Sequence, residues 1–190
     1  MSAKITFRAL LFQLGVMAAN NGQKRKMFRV AVEGNIGCGK TSFLNNFSET
    51  CKEKVKIFSE PVNKWRNVGG YNLLDLMYED PKKWSFAFQQ YVQLTMFQIH
   101  NEMSEYDDGK AVLKMMERSL LSARYCFVEN LWQSGLLTRV EYDIIDEWYH
   151  KLMKSESTKL DCIIYLRTDP EVCLKRIKQR NREEEQHIDL

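Results

Sequence analysis

The stretch FRVAVEGNIGCGKTS, residues 28–42, constrains the fold of this chain more than any other. A short β-forming run meets a glycine-rich turn, and the residues after the turn can start a helix. Gly34, Gly39, Lys40 and Thr41 have the spacing G-x-x-x-x-G-K-[ST] of a phosphate-binding loop (P-loop). Such a loop turns backbone N–H groups toward phosphate oxygens at the N-terminus of a helix. We therefore predict a nucleotide-phosphate site made of Gly34, Asn35, Ile36, Gly37, Cys38, Gly39, Lys40 and Thr41.

Composition narrows the class of protein. The 190 residues are 44% hydrophobic and 28% charged, which is typical of a globular domain with a sizeable core. A net charge of +3 is too small to indicate a nucleic-acid partner. Five cysteines without a C-x-x-C pair indicate free thiols in a reducing compartment, and the three histidines lack metal-ligand spacing. Since no apolar run approaches the roughly 20 residues of a bilayer span, we expect no membrane partner.

The N-terminal segment has its own character. It is basic, contains no acidic residue before Glu33, and carries an apolar stretch at residues 9–19. This combination is typical of a mitochondrial transit peptide, which favours a mitochondrial location over a cytosolic one. A disordered extension and a secretory signal are the alternatives, and the need for nucleotide argues against secretion. We expect a leader or extension at residues 1–27 and a catalytic domain at 28–190.

The remaining pattern alternates strands and helices. Strands are predicted at residues 55–59, 111–116 and 160–166, besides the one before the P-loop. Helices are predicted at 41–51, 72–79, 81–102, 119–134, 141–154 and from Pro170 onward, and the polar segment 101–110 has no assigned role. This alternation predicts an α/β fold with a parallel β-sheet flanked by helices, in three layers.

Two carboxylates follow predicted strands. Glu60 comes after the second strand and Glu117 after the third, and ligands of open α/β sheets bind outside such strand ends. Phosphoryl transfer needs Mg²⁺ on the phosphates, cations on the developing charge and a group that orients the acceptor. A carboxylate can act as general base, and a second can help to hold Mg²⁺.

Two features are ambiguous on spacing alone. Gln89, Val92 and Met96 share one face of the long helix, either as a ligand-binding stripe or as a core stripe with one satisfied amide. Three arginines in and after the last helix can cover phosphates or form a solvated basic face. They are Arg176, Arg180 and Arg182.

These motifs carry a family resemblance. The segments VEGNIGCGKTS, EPVNKWRNV, NLLDLMYEDPKKW, FQQYVQLTM, ERSLLSARYCFVEN and YLRTDPEV resemble the deoxyribonucleoside kinase family, in order, from residue 28 to the end. The resemblance implies a P-loop kinase fold and ATP-dependent 5′-phosphorylation of deoxyribonucleosides in nucleotide salvage, with Mg²⁺. The resemblance includes the insect multisubstrate and mitochondrial thymidine-directed branches of the family.

Residue roles follow from the resemblance. Glu60 corresponds to the base that activates the 5′-hydroxyl, and Arg118 to the arginine near the 5′ oxygen. Glu117 and Thr41 correspond to the magnesium ligands, and Tyr78 and Glu185 to the pair that holds the 3′-hydroxyl. The remaining nucleoside contacts would be Trp65, Gln89, Val92, Met96, Ala123 and Phe127, with Gln89 on the base edge and Phe127 stacked on the base. Arg176, Arg180 and Arg182 correspond to a lid over the ATP phosphates.

The resemblance also bears on specificity and assembly. Met96 and Ala123 lie where purine- or cytidine-directed relatives carry Arg and Asp, so we expect thymidine and deoxycytidine as substrates, with purine deoxynucleosides tolerated. Homodimers and feedback inhibition by dTTP are implied as well. The family continues beyond a position like Leu190 with a helix, a fifth strand and an adenine loop, so we expect the last strand to be missing here.

Three other functions share parts of this pattern. A thymidylate-type nucleoside monophosphate kinase has the same fold, but Glu60 would repel a phosphorylated acceptor, whereas it suits a neutral hydroxyl. A P-loop GTPase switch needs N-K-x-D, and Asn63-Lys64-Trp65-Arg66 lacks the Asp. A nucleic-acid-binding ATPase would carry a larger basic surface.

Overall fold

A computed structural model describes residues 27–186, so the predicted leader lies outside the described residues except for Met27. Four strands form one sheet: β1 (Phe28–Gly34), β2 (Val55–Phe58), β3 (Leu113–Glu117) and β4 (Cys162–Leu166). Their spatial order is β2-β3-β1-β4, and every neighbouring pair is parallel. The predicted parallel α/β sheet is confirmed.

Helices connect the strands. The connection from β1 to β2 is α1 (Lys40–Thr50), and three helices, α2 (Val62–Trp65), α3 (Leu73–Glu79) and α4 (Pro81–Glu105), lie between β2 and β3. Between β3 and β4 come α5 (Leu120–Ser122), a π-helix (Ala123–Val128), α6 (Glu129–Gln133), α7 (Arg139–Leu152) and a 3₁₀ turn (Glu156–Thr158). After β4 follow α8 (Pro170–Arg180) and a second 3₁₀ turn, Glu183–Glu185.

Local sequence signals explain several helix starts. The Asn72 side chain caps α3 by accepting from the backbone N–H of Asp75, and Asp80 caps α4 by accepting from that of Lys83. Pro81 occupies the first turn of α4, where its missing N–H costs nothing. At α7, Thr138 and Glu141 form a reciprocal capping box. That box starts the helix two residues before the predicted 141.

The helix predicted at 119–134 is confirmed, but its winding is not uniform. The segment is helical, but its central six residues are wound as a π-helix, with α-helical turns on either side. Such widened turns are frequent at functional sites. The short helix α2 was not predicted, and the other helices and strands begin or end within about three residues of their predicted limits, the usual uncertainty of pattern-based boundaries.

Two apolar layers cover the sheet. Val30 and Val32 of β1 point to one face and pack with Leu44 of α1, because successive side chains of a strand alternate. Ala31 points to the other face and joins a larger cluster that includes Met96 of α4. The sheet is therefore sandwiched between helices, which confirms the three-layer expectation.

The edge strand β4 differs from the others. Its side chains are mostly solvent-accessible, and Ile163 and Tyr165 are 47% and 67% exposed. Among residues 27–186, no helix combines the length and apolar character required to cross a membrane.

Candidate active site

The P-loop occupies the turn between β1 and α1. Gly37 has φ +75°, in the left-handed region, and a Cβ atom there would lie 2.5 Å from the carbonyl oxygen of Cys173. The Lys40 ammonium donates to the carbonyl oxygens of Gly34 (3.2 Å) and Asn35 (2.9 Å). Burial, followed by the Arg118 charge, lowers the pKa of Lys40. The loop is therefore lined by backbone groups, and the buried ammonium group of Lys40 lies inside it.

Thr41 and Glu117 meet at the same end of the sheet. The Thr41 hydroxyl donates to Glu117 Oε1 at 2.8 Å, although 76 residues separate them. Glu117 is the last residue of β3, whereas the sequence placed it just after the strand. The donor set is all oxygen and includes one carboxylate, which suits Mg²⁺ shared with substrate phosphates. The described residues contain no cluster of three His, Cys, Asp or Glu residues able to hold a metal ion.

The two predicted catalytic residues are in contact. Arg118 Nε lies 3.0 Å from Glu60 Oε1, and Arg118 Nη1 donates to the carbonyl oxygen of Gly34 at 3.2 Å. The Arg118 backbone has φ +64°, an uncommon value for a residue other than glycine. Burial raises the pKa of Glu60 above its ordinary value, opposed by Arg118 and reinforced by Glu117. A carboxylate with a raised pKa in a cleft is suited to proton transfer.

Most of the predicted nucleoside contacts lie buried in the helical layer, and we call this group the predicted wall. Trp65 is buried and its indole N–H donates to Thr95 Oγ1 at 2.8 Å. Gln89 is 3% exposed, and its buried Oε1 has no hydrogen-bond partner. Three further predicted contacts, Val92, Met96 and Ala123, lie in the same buried cluster as Trp65. Buried polar atoms normally have partners, so Gln89 is the unusual member of this wall.

Phe127 lies on the π-helix, close to Arg118. The Arg118 guanidinium carbon is 4.7 Å from the centroid of the Phe127 ring, a cation–π distance. The π-helix therefore links an aromatic wall residue to the arginine that contacts Glu60.

The segment predicted to form a lid makes contacts within itself. Arg176 donates to the carbonyl oxygen of Cys38 in the P-loop at 3.0 Å. Arg180 and Arg182 both donate to Glu185, Arg180 through Nε at 2.7 Å and Arg182 through Nη1 at 3.3 Å. Burial and then the charges of Glu185 and Glu184 raise the pKa of Tyr78 to about 12. The structure thus brings Tyr78 near Glu185, and one lid arginine against the P-loop.

Sequence reasoning missed a third strand-end carboxylate. Glu33, the penultimate residue of β1, is buried and accepts a 2.6 Å hydrogen bond from Ser119 Oγ. Burial raises the pKa of Glu33, and its second carboxylate oxygen, Oε2, has no hydrogen-bond partner. The signal was present, because Glu33 directly follows the apolar run of β1. Glu33 holds the residue next to Arg118 and so supports the turn that presents it.

A groove lies beside the P-loop residues Cys38 and Gly39. It lies between α1, β4 and the middle of α8, and its lining includes Phe43, Tyr165, Arg167 and Arg176. Aromatic rings and guanidinium groups next to a phosphate loop suit a nucleotide base and its phosphates. The sequence had not marked Phe43, Tyr165 or Arg167.

Comparisons with known proteins agree with this arrangement. A family profile described as deoxynucleoside kinase matches residues 30–190. Human mitochondrial thymidine kinase 2 is 45% identical over 168 residues, which are 88% of this chain and 61% of that protein. Human deoxycytidine kinase is 36% identical over 193 residues, 91% of this chain and 73% of that protein.

The macaque mitochondrial thymidine kinase 2 is 44% identical over 170 residues, again 61% of its own length. The chain therefore spans about three fifths of the mitochondrial relatives that it matches. The profile covers every described residue of the P-loop, the strand-end carboxylates and the lid. The chain belongs to the deoxynucleoside kinase family.

Proposed function

We propose that the protein transfers the γ-phosphoryl group of ATP to the 5′-hydroxyl of deoxyribonucleosides in nucleotide salvage. Thymidine and deoxycytidine are the proposed acceptors, with purine deoxynucleosides as weaker ones. The relatives named above are thymidine and deoxycytidine kinases, which supports both the reaction and the acceptor class. The mitochondrial relatives and the basic leader support a mitochondrial location.

The observation that carries the proposal is the contact between Glu60 and Arg118 beside the P-loop. Phosphoryl transfer depends on positioning and on stabilising the developing charge. Glu60 would accept the proton of the acceptor hydroxyl, and Arg118 would stay against the transferring phosphate while holding Glu60. A neutral hydroxyl fits next to a carboxylate, whereas a nucleoside monophosphate would be repelled by it.

The nucleoside pocket supports a pyrimidine. The free Oε1 of Gln89 and its amide nitrogen can pair with the edge of a base, and Val92, Met96 and Ala123 offer no charge to read an exocyclic group. Trp65 and Phe127 would flank the base. Such apolar neighbours would suit the methyl group of thymine.

Thr41 and Glu117 are the residues that would hold Mg²⁺, since their oxygens lie 2.8 Å apart at the end of the P-loop. When bound, Mg²⁺ neutralises charge on the phosphates. The groove lined by Phe43 and Tyr165 is the proposed place of the donor nucleotide, and Lys40, with Arg176, Arg180 and Arg182, would contact its phosphates.

We also propose a homodimer through α7. Val140, Ile144 and Trp148 fall on one face of this helix at intervals of four residues and are 68%, 39% and 54% exposed. Leu94 on α4, which packs against α7, is also exposed. Inhibition by dTTP is proposed because one molecule would offer a thymine to the pocket and phosphates to the P-loop.

The test is ATP-dependent phosphorylation of the four deoxynucleosides by the purified protein, compared as kcat/KM. Thymidine and deoxycytidine are expected to lead, and Lys40→Ala to abolish turnover. A higher kcat/KM for deoxyguanosine than for thymidine would contradict the pyrimidine assignment. Turnover of thymidine monophosphate without turnover of thymidine would replace the proposed reaction with that of a monophosphate kinase.

A further inference from the structure

Two adjacent glutamates in the Glu183–Glu185 turn face different partners. Glu185 is bound by Arg180 and Arg182 of its own segment. Glu184 instead reaches across the molecule to Arg66, which lies 118 residues earlier in the chain. Both glutamates are buried, with 6% and 8% of their surface exposed. The turn is thus tied to its own helix by one residue and to a distant element by the next.

The contact between Arg66 and Glu184 is a two-donor ion pair. Arg66 Nε donates to Glu184 Oε1 at 2.9 Å, and Arg66 Nη2 contacts the same oxygen. Burial opposes ionisation of Glu184, but its own backbone N–H and Arg66 together hold the pKa of this carboxyl below its ordinary value. A charge-assisted pair of this kind is stronger than a neutral hydrogen bond.

Arg66 is a well-anchored partner. Its backbone N–H donates to the carbonyl oxygen of Val62 at 3.0 Å at the end of α2, and the preceding residue is the buried wall residue Trp65. The turn itself packs against α3, the helix that carries Tyr78. The ion pair therefore joins the neighbour of one proposed nucleoside contact, Trp65, to the neighbour of another, Glu185.

We propose that the Arg66–Glu184 ion pair is a latch that fixes the Glu183–Glu185 turn over the nucleoside pocket, and that both residues are positioning residues for Glu185. This inference rests on the proposed function, because it concerns how the same pocket closes on its acceptor. Arg66 and Glu184 need not touch the nucleoside. Without the latch, Glu185 remains paired with the lid arginines, but the turn loses its attachment to the pocket wall.

The test is a double-mutant cycle with Arg66→Met, Glu184→Gln and the combined variant. Each single variant is expected to raise the KM for thymidine about tenfold, the scale of one charge-assisted hydrogen bond, with a smaller change in kcat. The combined variant is expected to be no worse than the single variants, because the partners act as a unit. The exchanged pair, Arg66→Glu with Glu184→Arg, is expected to recover part of the affinity.

Hydrogen exchange of the 183–185 amides provides a readout without substrate. Exchange is expected to accelerate about tenfold in each single variant, and not further in the combined one. Lys159→Met is the control, since Lys159 pairs with Glu156 at 2.5 Å on the surface, outside the proposed site and outside α7. It is expected to leave both KM and the exchange of the turn unchanged.

The outcomes separate the latch from the proposed function. Additive effects in the combined variant, or unchanged exchange in the single variants, would refute the latch. If the single variants exchange faster but keep the wild-type KM for thymidine, the ion pair stabilises the turn without positioning Glu185, and the positioning role is refuted. If the wild-type protein binds no deoxynucleoside, the proposed function and the positioning role both fail, while exchange still decides whether the ion pair holds the turn.

Discussion

Arg118 contacts Glu60 through Nε at 3.0 Å while its guanidinium carbon lies 4.7 Å from the centre of the Phe127 ring. One arginine thus connects the proposed base to the aromatic wall, and its third contact is with the carbonyl oxygen of Gly34 in the P-loop. The proposed donor half and the proposed acceptor half of the site therefore share a residue. Changes at Arg118 are expected to affect both halves.

Arg118→Met is expected to move the acid limb of the pH–rate profile to higher pH. The pKa of Glu60 is already raised by burial, and Arg118 is the main group that opposes the rise. A general base works only when ionised, so activity falls as the pH drops through this pKa, and removal of the cation raises it further. The measurement is kcat/KM for thymidine against pH, with Lys159→Met, which removes a surface cation paired with Glu156, as the control. If the acid limb of Arg118→Met stays at the same pH or moves to lower pH, Arg118 does not control the pKa of Glu60 as proposed.

Gln89→Leu is expected to weaken thymidine binding without destabilising the fold. The substitution removes a buried oxygen that has no partner, so the free energy of unfolding should stay constant or rise. Loss of base pairing to the amide should raise the KM at least about tenfold. Steady-state kinetics and urea unfolding measure the two effects.

Gln93→Leu provides the opposite pattern as a control. Gln93 is equally buried and its Oε1 also has no hydrogen-bond partner, but its Nε2 donates to the carbonyl oxygen of Ile145 at 3.0 Å. Its replacement removes this bond and should lower the free energy of unfolding with little change in KM. Equal KM values for Gln89→Leu and the wild type would show that Gln89 is a core residue and not a nucleoside contact.

Gly37→Ala is expected to disrupt the P-loop more than its backbone angle alone explains. The new Cβ would lie 2.5 Å from the Cys173 carbonyl oxygen and 3.0 Å from Ile177 Cγ1, so α8 must shift. Gly135→Ala is the matched control, because Gly135 has a similar φ of +69° with nothing within 4 Å. Dihedral strain should cost each variant about 1–2 kcal/mol in the free energy of unfolding. Gly37→Ala should lose more of its free energy of unfolding than Gly135→Ala and should also bind ATP more weakly. Equal losses of stability in the two variants would argue against the clash.

His100 is expected to make stability depend on pH below neutrality. It is 1% exposed on α4, and burial lowers its pKa from 6.5 to about 4. Between these values the unfolded chain binds more protons than the folded one, so the free energy of unfolding falls as the pH drops from 6.5 and levels off below 4. The full loss is on the order of 3 kcal/mol.

Urea unfolding at pH 7.5 and pH 5 measures this effect. His100→Leu should reduce the pH dependence of the free energy of unfolding. Wild-type pH dependence in His100→Leu would show that other groups cause it.

The parts of the site that sequence predicted are those fixed by local geometry. The P-loop spacing specifies a strand, a turn and a helix within fifteen residues, and the structure has all three. Glu60 and Glu117 were placed near each other because parallel strands bring their carboxyl ends to one edge of a sheet. β2 and β3 are indeed neighbours.

The parts that sequence could not predict depend on long-range contacts or on unusual winding. Nothing in the residues near Arg66 or Glu184 indicates that they pair, since the chain reverses several times between them. The π-helical turn was invisible because a period of 3.6 and a slightly wider one look alike over six residues. The apolar pattern showed that Gln89 shares a face with Val92, but only packing revealed that its oxygen has no partner.

The central claim is that Glu60 is the base for a nucleoside hydroxyl, and Glu60→Gln tests it most directly. The amide keeps the shape of the side chain but cannot accept the proton, so kcat for thymidine should fall by about 10²–10⁴. Equilibrium binding of thymidine and of ATP should change little. A kcat within a few-fold of the wild type, with thymidine binding intact, would contradict the assignment of Glu60 as the base.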